Sequence, residues 1–381
     1  MDFSWNEEQL SFRASVIAFA ERELADDVVA RDHAGTFARD HWRKCATLGI
    51  QGLPVPAQYG GGDADPLTIT LALEALGYAC RDNGLLFSLN AHMWSAEVPL
   101  VRFGSEAQKE RYLPGLCDGS LVGVQAMTEP ESGSDAFSLT TTAVESDGGW
   151  VLNGNKTFIT NAPVADLFVV FATRERGTGW SGVSAFLVER STQGLTVGAP
   201  LVKMGLRTSP MSEVAFSDCN VGVDALLGPR GGGLSVFTTS MDWERSFILA
   251  TAVGSMQRQL EHCITYAKER RQFGQPISRF QAVSHRIVDM KLRLKGARLS
   301  LHHLAWLRTT GQSTTLESAE VKLAISEAYL QSSLDALSIY GAYGYMAEYE
   351  VEREVRDAIA SRIYSGTSDI QRNLVASKLG L

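Results

Sequence analysis

The stretch Val151-Leu152-Asn153-Gly154-Asn155-Lys156-Thr157-Phe158 places a turn and then strand-forming residues in the middle of a chain whose two ends have helical patterns. Three more runs of strand formers follow, at residues 167–172, 183–188 and 213–216, with Gly, Pro and Ser clusters between them. Because no long helical pattern alternates with these strands, a parallel doubly wound sheet is disfavoured. The sequence predicts a small antiparallel sheet in a central β domain over residues 126–235.

Residues 1–125 are predicted to be an N-terminal helical domain. Ser105-Glu106-Ala107-Gln108 has the form of a capping box, which predicts a helix running from there toward a break at Pro114. Pro54, Pro56 and the three glycines at 60–62 predict a turn between earlier helices.

Residues 236–381 return to a helical pattern. Apolar residues recur there at alternating spacings of four and three, which is typical of one face of a long helix in a bundle. They are Val283, Ile287, Met290, Leu294, Ala297, Leu301 and Leu304. The order along the chain is helical, then β, then a helical bundle.

Composition excludes several classes of protein. The 381 residues are 45% hydrophobic, which supports a large core, and Lys+Arg 35 against Asp+Glu 43 gives a net charge of −8, which opposes binding to nucleic acid or to an anionic membrane. The five cysteines are scattered without a C-x-x-C pair, so we expect reduced thiols in a cytoplasmic protein rather than disulfides or a zinc site. We expect no membrane span, signal peptide or transit peptide.

Two familiar patterns carry little weight. The segment Gly177-Thr178-Gly179-Trp180-Ser181-Gly182 matches G-x-G-x-x-G, but a predicted strand follows it instead of the helix that a dinucleotide site requires, so a hairpin loop is the favoured interpretation. The adjacent His302 and His303 point about 100° apart on a helix, so they cannot bind one metal together. We expect no metal site.

Three polar segments are stronger candidates for a ligand-binding site. Residues 128–135 place Thr, Ser and Gly in a turn whose amides and hydroxyls suit an anionic or carbonyl-rich ligand, although a capped surface turn is the simpler interpretation. Residues 266–281 set Arg270 and Arg271 beside Phe273 at a helix break, where they would suit a pyrophosphate and a base, or form an ordinary loop. Residues 364–372 form a Gly/Ser/Thr-rich break near the C-terminus.

Four motifs in these regions carry a resemblance. They are T-E-P-x-x-G-S-D from Thr128, N-G-x-K-x-x-I-T-N from Asn153, R-R-Q-F-G-x-P-I-x-x-x-Q from Arg270, and G-T-S-x-I-Q-R from Gly366. In this order and spacing they resemble the acyl-CoA dehydrogenase flavoprotein family over essentially the whole chain. The resemblance implies an α+β, acyl-CoA dehydrogenase-like fold with an N-terminal helical domain, a central small β-barrel or sheet domain and a C-terminal four-helix bundle.

The resemblance also implies FAD as cofactor, bound between the β domain and the bundle, with a neighbouring subunit of a homo-oligomer, usually a tetramer, covering its adenosine half. The positions that match the family's cofactor contacts are Met127, Thr128, Gly133, Ser134, Phe158, Thr160, Arg270, Phe273, Gln281, Ser338, Gly341 and Thr367.

The family removes Hα of an acyl thioester as a proton and Hβ as a hydride, so it needs a carboxylate base of raised pKa and a polarised carbonyl. Many members carry that Glu directly before the C-terminal G-T, where this chain has Ser365. A minority carries it on the first bundle helix in a D-x-E-R pattern, which matches Asp242, Glu244 and Arg245. Glu244 is therefore the predicted base, and a surface glutamate paired with Arg245 is the alternative. Ser134, Asp242, Arg245 and Ser365 are the predicted substrate contacts.

The substrate is expected to be an acyl thioester on pantetheine. Several short motifs, M-x-W-E-R among them, resemble a subgroup that acts on carrier-protein-tethered acyl or aminoacyl groups, such as the prolyl-carrier-protein dehydrogenases of natural-product biosynthesis. Residues 309–320 also contain no basic residue where some CoA-using relatives place an Arg. A catabolic short- or branched-chain acyl-CoA dehydrogenase is the alternative, and a flavin monooxygenase-type enzyme or a DNA-associated flavoprotein is less favoured. Electron-transfer flavoprotein or oxygen would accept the electrons.

Overall fold

The computed structural model describes residues 5–177 and 179–381. Helices build its N-terminal part. They are α1 (Glu7–Glu23), α2 (Val28–Ala34), α3 (Arg39–Thr47), α4 (Pro66–Ala79), α5 (Asn83–His92), α6 (Val98–Phe103) and α7 (Glu106–Cys117). A π-helical segment, Met93–Glu97, connects α5 to α6.

The predicted capping box at the start of α7 is present. The Gln108 amide N–H donates to the Ser105 hydroxyl over 3.2 Å, and the Ser105 N–H donates to Gln108 Oε1 over 2.9 Å. The predicted break at Pro114 is wrong, because Pro114 lies inside the helix, which continues to Cys117. Proline removes one backbone donor, and here the final turn continues around it, with the Asp118 N–H donating to the Pro114 carbonyl over 3.0 Å.

The central part of the chain forms one twisted sheet. Its strands run in the order β6-β7-β3-β2-β4-β5-β8, and β1 pairs with β4 beside that path. The strands are β1 (Gly123–Ala126), β2 (Thr142–Ser146), β3 (Gly149–Thr160), β4 (Leu167–Thr173), β5 (Val183–Glu189), β6 (Leu195–Val197), β7 (Met211–Gly222) and β8 (Leu226–Leu227).

The sheet is mixed, and the prediction of a purely antiparallel sheet is wrong at β4. The strand β1 pairs with the first half of β4 in parallel, with Ala126 opposite Val170, and β2 joins the same edge in parallel at Thr142 and Thr173. Between them, residues 127–141 leave the sheet and return only three positions further along β4. Local patterns do not show this pairing, because the crossover depends on where a loop returns. The edge of β4 therefore carries a long excursion beside the bundle.

The segment with the G-x-G-x-x-G pattern connects the antiparallel strands β4 and β5, as predicted. Its described part contains a short 3₁₀ helix, Gly179–Gly182, that leads directly into β5. Thr178 lies outside the described residues.

The C-terminal part is helical, with a two-stranded hairpin of β9 (Arg271–Gln272) and β10 (Gln275–Pro276). The apolar stripe of α10 behaves as predicted: Leu294, Leu301 and Leu304 are buried, while Val283 and Ile287 at its start are partly buried. The helices are α8 (Gly233–Phe247), α9 (Ala250–Glu269), α10 (Gln281–Thr309), α11 (Thr315–Tyr340), α12 (Val351–Ala360) and α13 (Ser368–Lys378).

The N-terminal helices pack directly on this bundle through a close helix crossing. A Cβ atom on Gly77 of α4 would lie 2.0 Å from the Thr251 carbonyl oxygen, and one on Gly254 of α9 would lie 2.1 Å from that of Glu74. Only glycine allows two backbones to approach so closely. Glu74, on the same helix, also accepts from Arg298 Nε over 2.7 Å and lies 3.1 Å from His302 Nε2, so His302 has a packing role. No helix in the described part of the chain is long and apolar enough to cross a membrane.

Candidate active site

Glu244 lies on the buried face of α8, and its side chain is hydrogen-bonded to serines from two distant parts of the chain. Ser95 donates its hydroxyl to Oε2 over 2.9 Å, and Ser365 donates its hydroxyl to Oε1. The residue is only 7% exposed. The alternative of a surface glutamate paired with Arg245 does not describe this geometry, because Arg245 Nε instead donates to the Ser365 carbonyl over 3.3 Å.

Burial raises the pKa of the Glu244 carboxyl above its ordinary value, since a buried carboxylate loses hydration. The hydroxyls of Ser365 and Ser95 and the nearby Arg245 act in the opposite direction and limit this rise in pKa. Glu244 is consequently a carboxylate with raised basicity and a fixed orientation, which are the properties of a general base.

Ser95 was not among the predicted site residues. It reaches Glu244 from the π-helical segment Met93–Glu97, in which the backbone makes a wider turn than in an α-helix. Pro99 follows four residues after Ser95 and has no N–H to donate to the Ser95 carbonyl, which favours this local departure from α-helical bonding. Pro99 is a sequence signal for the π-helical segment, but it does not indicate which side chain of that segment faces the site.

Ser365 is held in a tight turn before α13. Ser365 and Gly366 both have positive φ, at 57° and 85°, so consecutive residues adopt the left-handed conformation. Gln371 Nε2 donates to the carbonyls of Ser365 over 3.0 Å and Gly366 over 2.9 Å, and Lys322 Nζ donates to the Gly366 carbonyl over 2.7 Å. Thr367 caps α13 by accepting from the Ile370 N–H over 3.2 Å.

Asp242, a predicted substrate contact, is engaged within the protein. Arg308 Nη2 donates to its Oδ2 over 2.7 Å, and Ser318 donates to its Oδ1 over 3.0 Å. The Arg308 guanidinium also lies 4.9 Å from the Trp243 ring centroid. Arg308 directly precedes the 309–320 segment without basic residues, and it faces α8.

The excursion that leaves β1 carries Met127, Thr128, Gly133 and Ser134, and a buried ion pair anchors it. Lys156 Nζ lies 2.8 Å from Glu129 Oε1 and donates to the Met127 carbonyl over 3.0 Å. Burial lowers the pKa of Lys156 to about 8, while the charge of Lys156 and its hydrogen bonds bring the pKa of Glu129 down to about 2 despite burial. Both residues lie inside the motifs that begin at Thr128 and Asn153, and neither was among the predicted site residues.

Phe158 and Thr160 stand at an irregularity in the sheet. The register between β3 and β7 shifts between Lys156 and Ile159, and Phe158 in this bulge has a φ of 57° and is 62% exposed. Such bulges redirect a side chain out of the alternating strand pattern. Asn161, which follows, donates Nδ2 to the Ser88 carbonyl of α5 over 3.0 Å, so this end of β3 is tied to the helix leading to Ser95.

The remaining predicted cofactor residues lie together on another part of the fold. Arg270, at the end of α9, places its guanidinium 5.2 Å from the Tyr343 ring centroid, in the turn that begins at Gly341. Phe273, in the β9–β10 hairpin, is 92% exposed, and Ser338 and Gln281 are exposed on α11 and α10. Within residues 5–177 and 179–381, no hydrogen bond or ring contact joins this group to the 127–160 group.

Both groups suit FAD by their chemistry. The group from Met127 to Thr160 contains hydroxyls, amides and an exposed aromatic ring. Gly133 in this group faces open space, because a Cβ there would meet no atom within 4 Å. Around Arg270 they offer a cation for a phosphate and the aromatic Phe273 for a base. Each group contains one exposed phenylalanine with positive φ, namely Phe158 and Phe273. A positive φ is rare for so bulky a residue.

The chain therefore places a helical part, a sheet and a helical bundle around one buried carboxylate. Models of the acyl-CoA dehydrogenase N-terminal, middle and C-terminal domains match residues 6–120, 124–219 and 231–380. The chain belongs to the acyl-CoA dehydrogenase family.

Three relatives match almost the whole of this chain. An L-prolyl-[peptidyl-carrier protein] dehydrogenase of Pseudomonas fluorescens is 42% identical over 382 residues, covering 100% of each chain. The crystal structure of the prolyl acyl carrier protein oxidase AnaB superposes with a TM-score of 0.98 at 48% identity, covering 99% of this chain and 100% of that one. A structure of PigA with FAD and proline gives a TM-score of 0.97 at 42% identity, covering 100% of both.

The expectations of the family, of its three-part α+β fold and of an FAD-dependent dehydrogenase are thereby confirmed. The roles of individual site residues and the domain boundaries at 125 and 235 stay predictions.

Proposed function

We propose that this protein carries out FAD-dependent α,β-dehydrogenation of an acyl thioester, with Glu244 as the base that removes the Hα proton. The observation that carries the proposal is the burial of Glu244 between two serine hydroxyls. The position at which many members of the family carry the base holds Ser365 in this chain. A desolvated, oriented carboxylate is what abstraction of a weakly acidic Cα–H requires.

In this mechanism Glu244 accepts the Hα proton on a carboxylate oxygen. Each oxygen has two acceptor sites, and Ser95 or Ser365 occupies only one of them, so the proton can be accepted without releasing either serine. FAD held by these residues would supply the hydride acceptor for Hβ, so loss of both hydrogens would leave a double bond between Cα and Cβ. The N–H of Ser365 makes no hydrogen bond within the described residues, and we assign it to the thioester carbonyl, whose developing charge it would stabilise.

The cofactor contacts divide between two subunits in this proposal. Met127, Thr128, Gly133, Ser134, Phe158 and Thr160 would hold the flavin and diphosphate, with Thr367 as a further contact. The group around Arg270, which consists of Arg270, Phe273, Gln281, Ser338 and Gly341, would serve the FAD of a neighbouring copy. The exposure of Phe273 and its separation from the 127–160 group support this arrangement. It requires at least a dimer, and a tetramer is the state usual in the family.

The substrate we propose is an acyl or aminoacyl group on the pantetheine arm of a carrier protein, in secondary metabolism in the cytoplasm. The likeness to a prolyl-carrier-protein dehydrogenase and to AnaB supports it. Ser134, Asp242, Arg245 and Ser365 would contact the substrate or shape its site, and electron-transfer flavoprotein or oxygen would reoxidise the flavin. Asp242 would act by fixing Arg308, whose guanidinium lies over the Trp243 ring.

The deciding experiment is anaerobic flavin bleaching by a panel of matched acyl-CoAs and acyl- or aminoacyl-carrier proteins, prolyl-carrier protein among them. We expect a higher kcat/KM for a carrier-bound group, because affinity would come from pantetheine and a small transient protein interface rather than from the adenosine half of CoA. Rapid bleaching by a short- or branched-chain acyl-CoA, without gain from a carrier protein, would favour catabolic acyl-CoA oxidation instead.

A further inference from the structure

A buried lysine lies behind the Ser365 turn. Lys322 is on α11, its side chain has no exposed surface, and its Nζ donates to the Gly366 carbonyl over 2.7 Å. Burying a lysine is costly, so a fully buried one that bonds a backbone carbonyl in the site is a candidate for a specific role.

The surroundings of Lys322 all belong to the candidate site. Glu244 and Arg245 of α8 act on it electrostatically, as does Glu327 of its own helix, and the Tyr364 ring lies 5.7 Å from its Nζ. Burial, followed by the positive charge of Arg245, lowers the pKa of Lys322 to about 7, and its charge in turn lowers the pKa of Glu244.

The carbonyls of Ser365 and Gly366 receive four hydrogen bonds from three side chains: Arg245, Gln371 and Lys322. Both carbonyls point toward these donors, and Ser365 adopts the left-handed conformation. In this conformation the Ser365 hydroxyl donates to Glu244, while the Ser365 N–H has no acceptor within the described residues. Loss of one donor would let the turn relax and would loosen Ser365.

We propose that Lys322 is a positioning residue, which fixes the Gly366 carbonyl so that Ser365 presents its hydroxyl to Glu244. It does not touch the reacting atoms. The inference rests on the proposed dehydrogenase function, because Glu244 is the base only there.

A double-mutant cycle tests whether Lys322 acts through Ser365. We expect Lys322→Met to slow anaerobic flavin reduction about tenfold in the wild-type background, as for the loss of one hydrogen bond to a charged group, and less than about twofold in the Ser365→Ala background. Lys322→Leu, which also removes the donor, replaces Lys322→Met if that variant does not fold. Lys322→Gln, which is neutral but retains a donor, should recover most of the lost rate. FAD content is measured in each variant and is expected to be unchanged.

Lys203→Met is the matched control. Lys203 is also a largely buried lysine that bonds two backbone carbonyls, those of Leu206 over 2.8 Å and Ser209 over 2.6 Å, and burial lowers its pKa to about 8. We expect this control to reduce thermal stability and to be additive with Ser365→Ala.

A second readout needs no turnover. The carboxyl stretch of Glu244, identified in infrared spectra by its loss in Glu244→Gln, should titrate at higher pH in Lys322→Met than in the wild type. This upward shift should be larger than the shift that Lys322→Met causes in the Ser365→Ala background, where only the charge of Lys322 is lost. An unchanged Glu244 pKa, or an effect of Lys322→Met on rate or pKa that is equally large in the Ser365→Ala background, would overturn the inference. If no thioester bleaches the wild type, the proposed function fails, while the infrared titration still decides the role of Lys322.

Discussion

The hydroxyl of Ser95 lies 2.9 Å from Oε2 of Glu244, although the two residues are 149 positions apart in the chain. The contact joins the N-terminal helices to the bundle at the one buried carboxylate of α8. It means that the candidate base is shaped by two domains, and that its orientation depends on their packing.

Replacing Glu244 by Gln should abolish the function of the base while keeping the shape of the site. We expect FAD to stay bound and substrate-dependent flavin reduction to slow by about 10²–10⁴-fold, since the amide cannot accept the proton. Anaerobic stopped-flow absorbance measures this rate. The exposed Glu110 of α7 supplies the control variant Glu110→Gln, and near-normal reduction by Glu244→Gln would show that another group is the base.

The two serine contacts should be visible in the pH dependence of the reaction. Glu244 must be ionised to act, so kcat/KM falls as pH drops below its pKa. Both serine hydroxyls lower that pKa, and their removal therefore raises it. We expect Ser95→Ala and Ser365→Ala each to move the acidic limb to higher pH. Ser300→Ala, on the bundle surface, should leave it in place, and a downward shift in either test variant would contradict the assignment.

The buried pair of Lys156 and Glu129 should control whether the excursion of residues 127–141 holds its shape. Lys156→Met leaves the Glu129 carboxylate buried without its partner, which typically costs about 3–5 kcal/mol of stability. We expect purified protein with less FAD per chain and a lower Tm. The double variant Lys156→Met/Glu129→Gln removes the stranded charge and should recover part of the Tm. A single variant with full FAD content and unchanged Tm would mean that the pair does not anchor the loop.

The close crossing of α4 and α9 makes a stability prediction that is independent of chemistry. In Gly77→Ala the new Cβ would lie 2.0 Å from the backbone oxygen of Thr251, so the helices must separate, at a cost of about 1–3 kcal/mol. Gly296→Ala in α10 is the control, because its Cβ would meet no atom within 4 Å, and alanine there should stabilise by about 0.5–1 kcal/mol. Thermal unfolding followed by circular dichroism distinguishes the two, and an equal Tm for both variants would contradict the crossing.

Local sequence was sufficient for those features that depend on neighbouring residues. The change from a helical to a strand pattern and back predicted the order of the three parts. The Ser105–Gln108 box predicted the start of α7, and the stripe from Met290 to Leu304 predicted the buried face of α10. A capping box or a helical face involves residues within a few positions of one another, so it can be recognised without knowing the fold. The motifs, through the family resemblance, also singled out Glu244 and Ser365.

Only the tertiary structure decided the rest, because hydrogen bonds between distant segments depend on where loops return and how helices pack. The parallel pairing of β1 with β4, the bend that brings Ser95 to Glu244, and the position of Lys322 behind Gly366 all join residues far apart in the chain. The continuation of α7 past Pro114 belongs here too. From its sequence neighbours alone, a lysine or serine in a helix is expected to be solvent-exposed. It becomes part of a site only when another segment packs over it and excludes water.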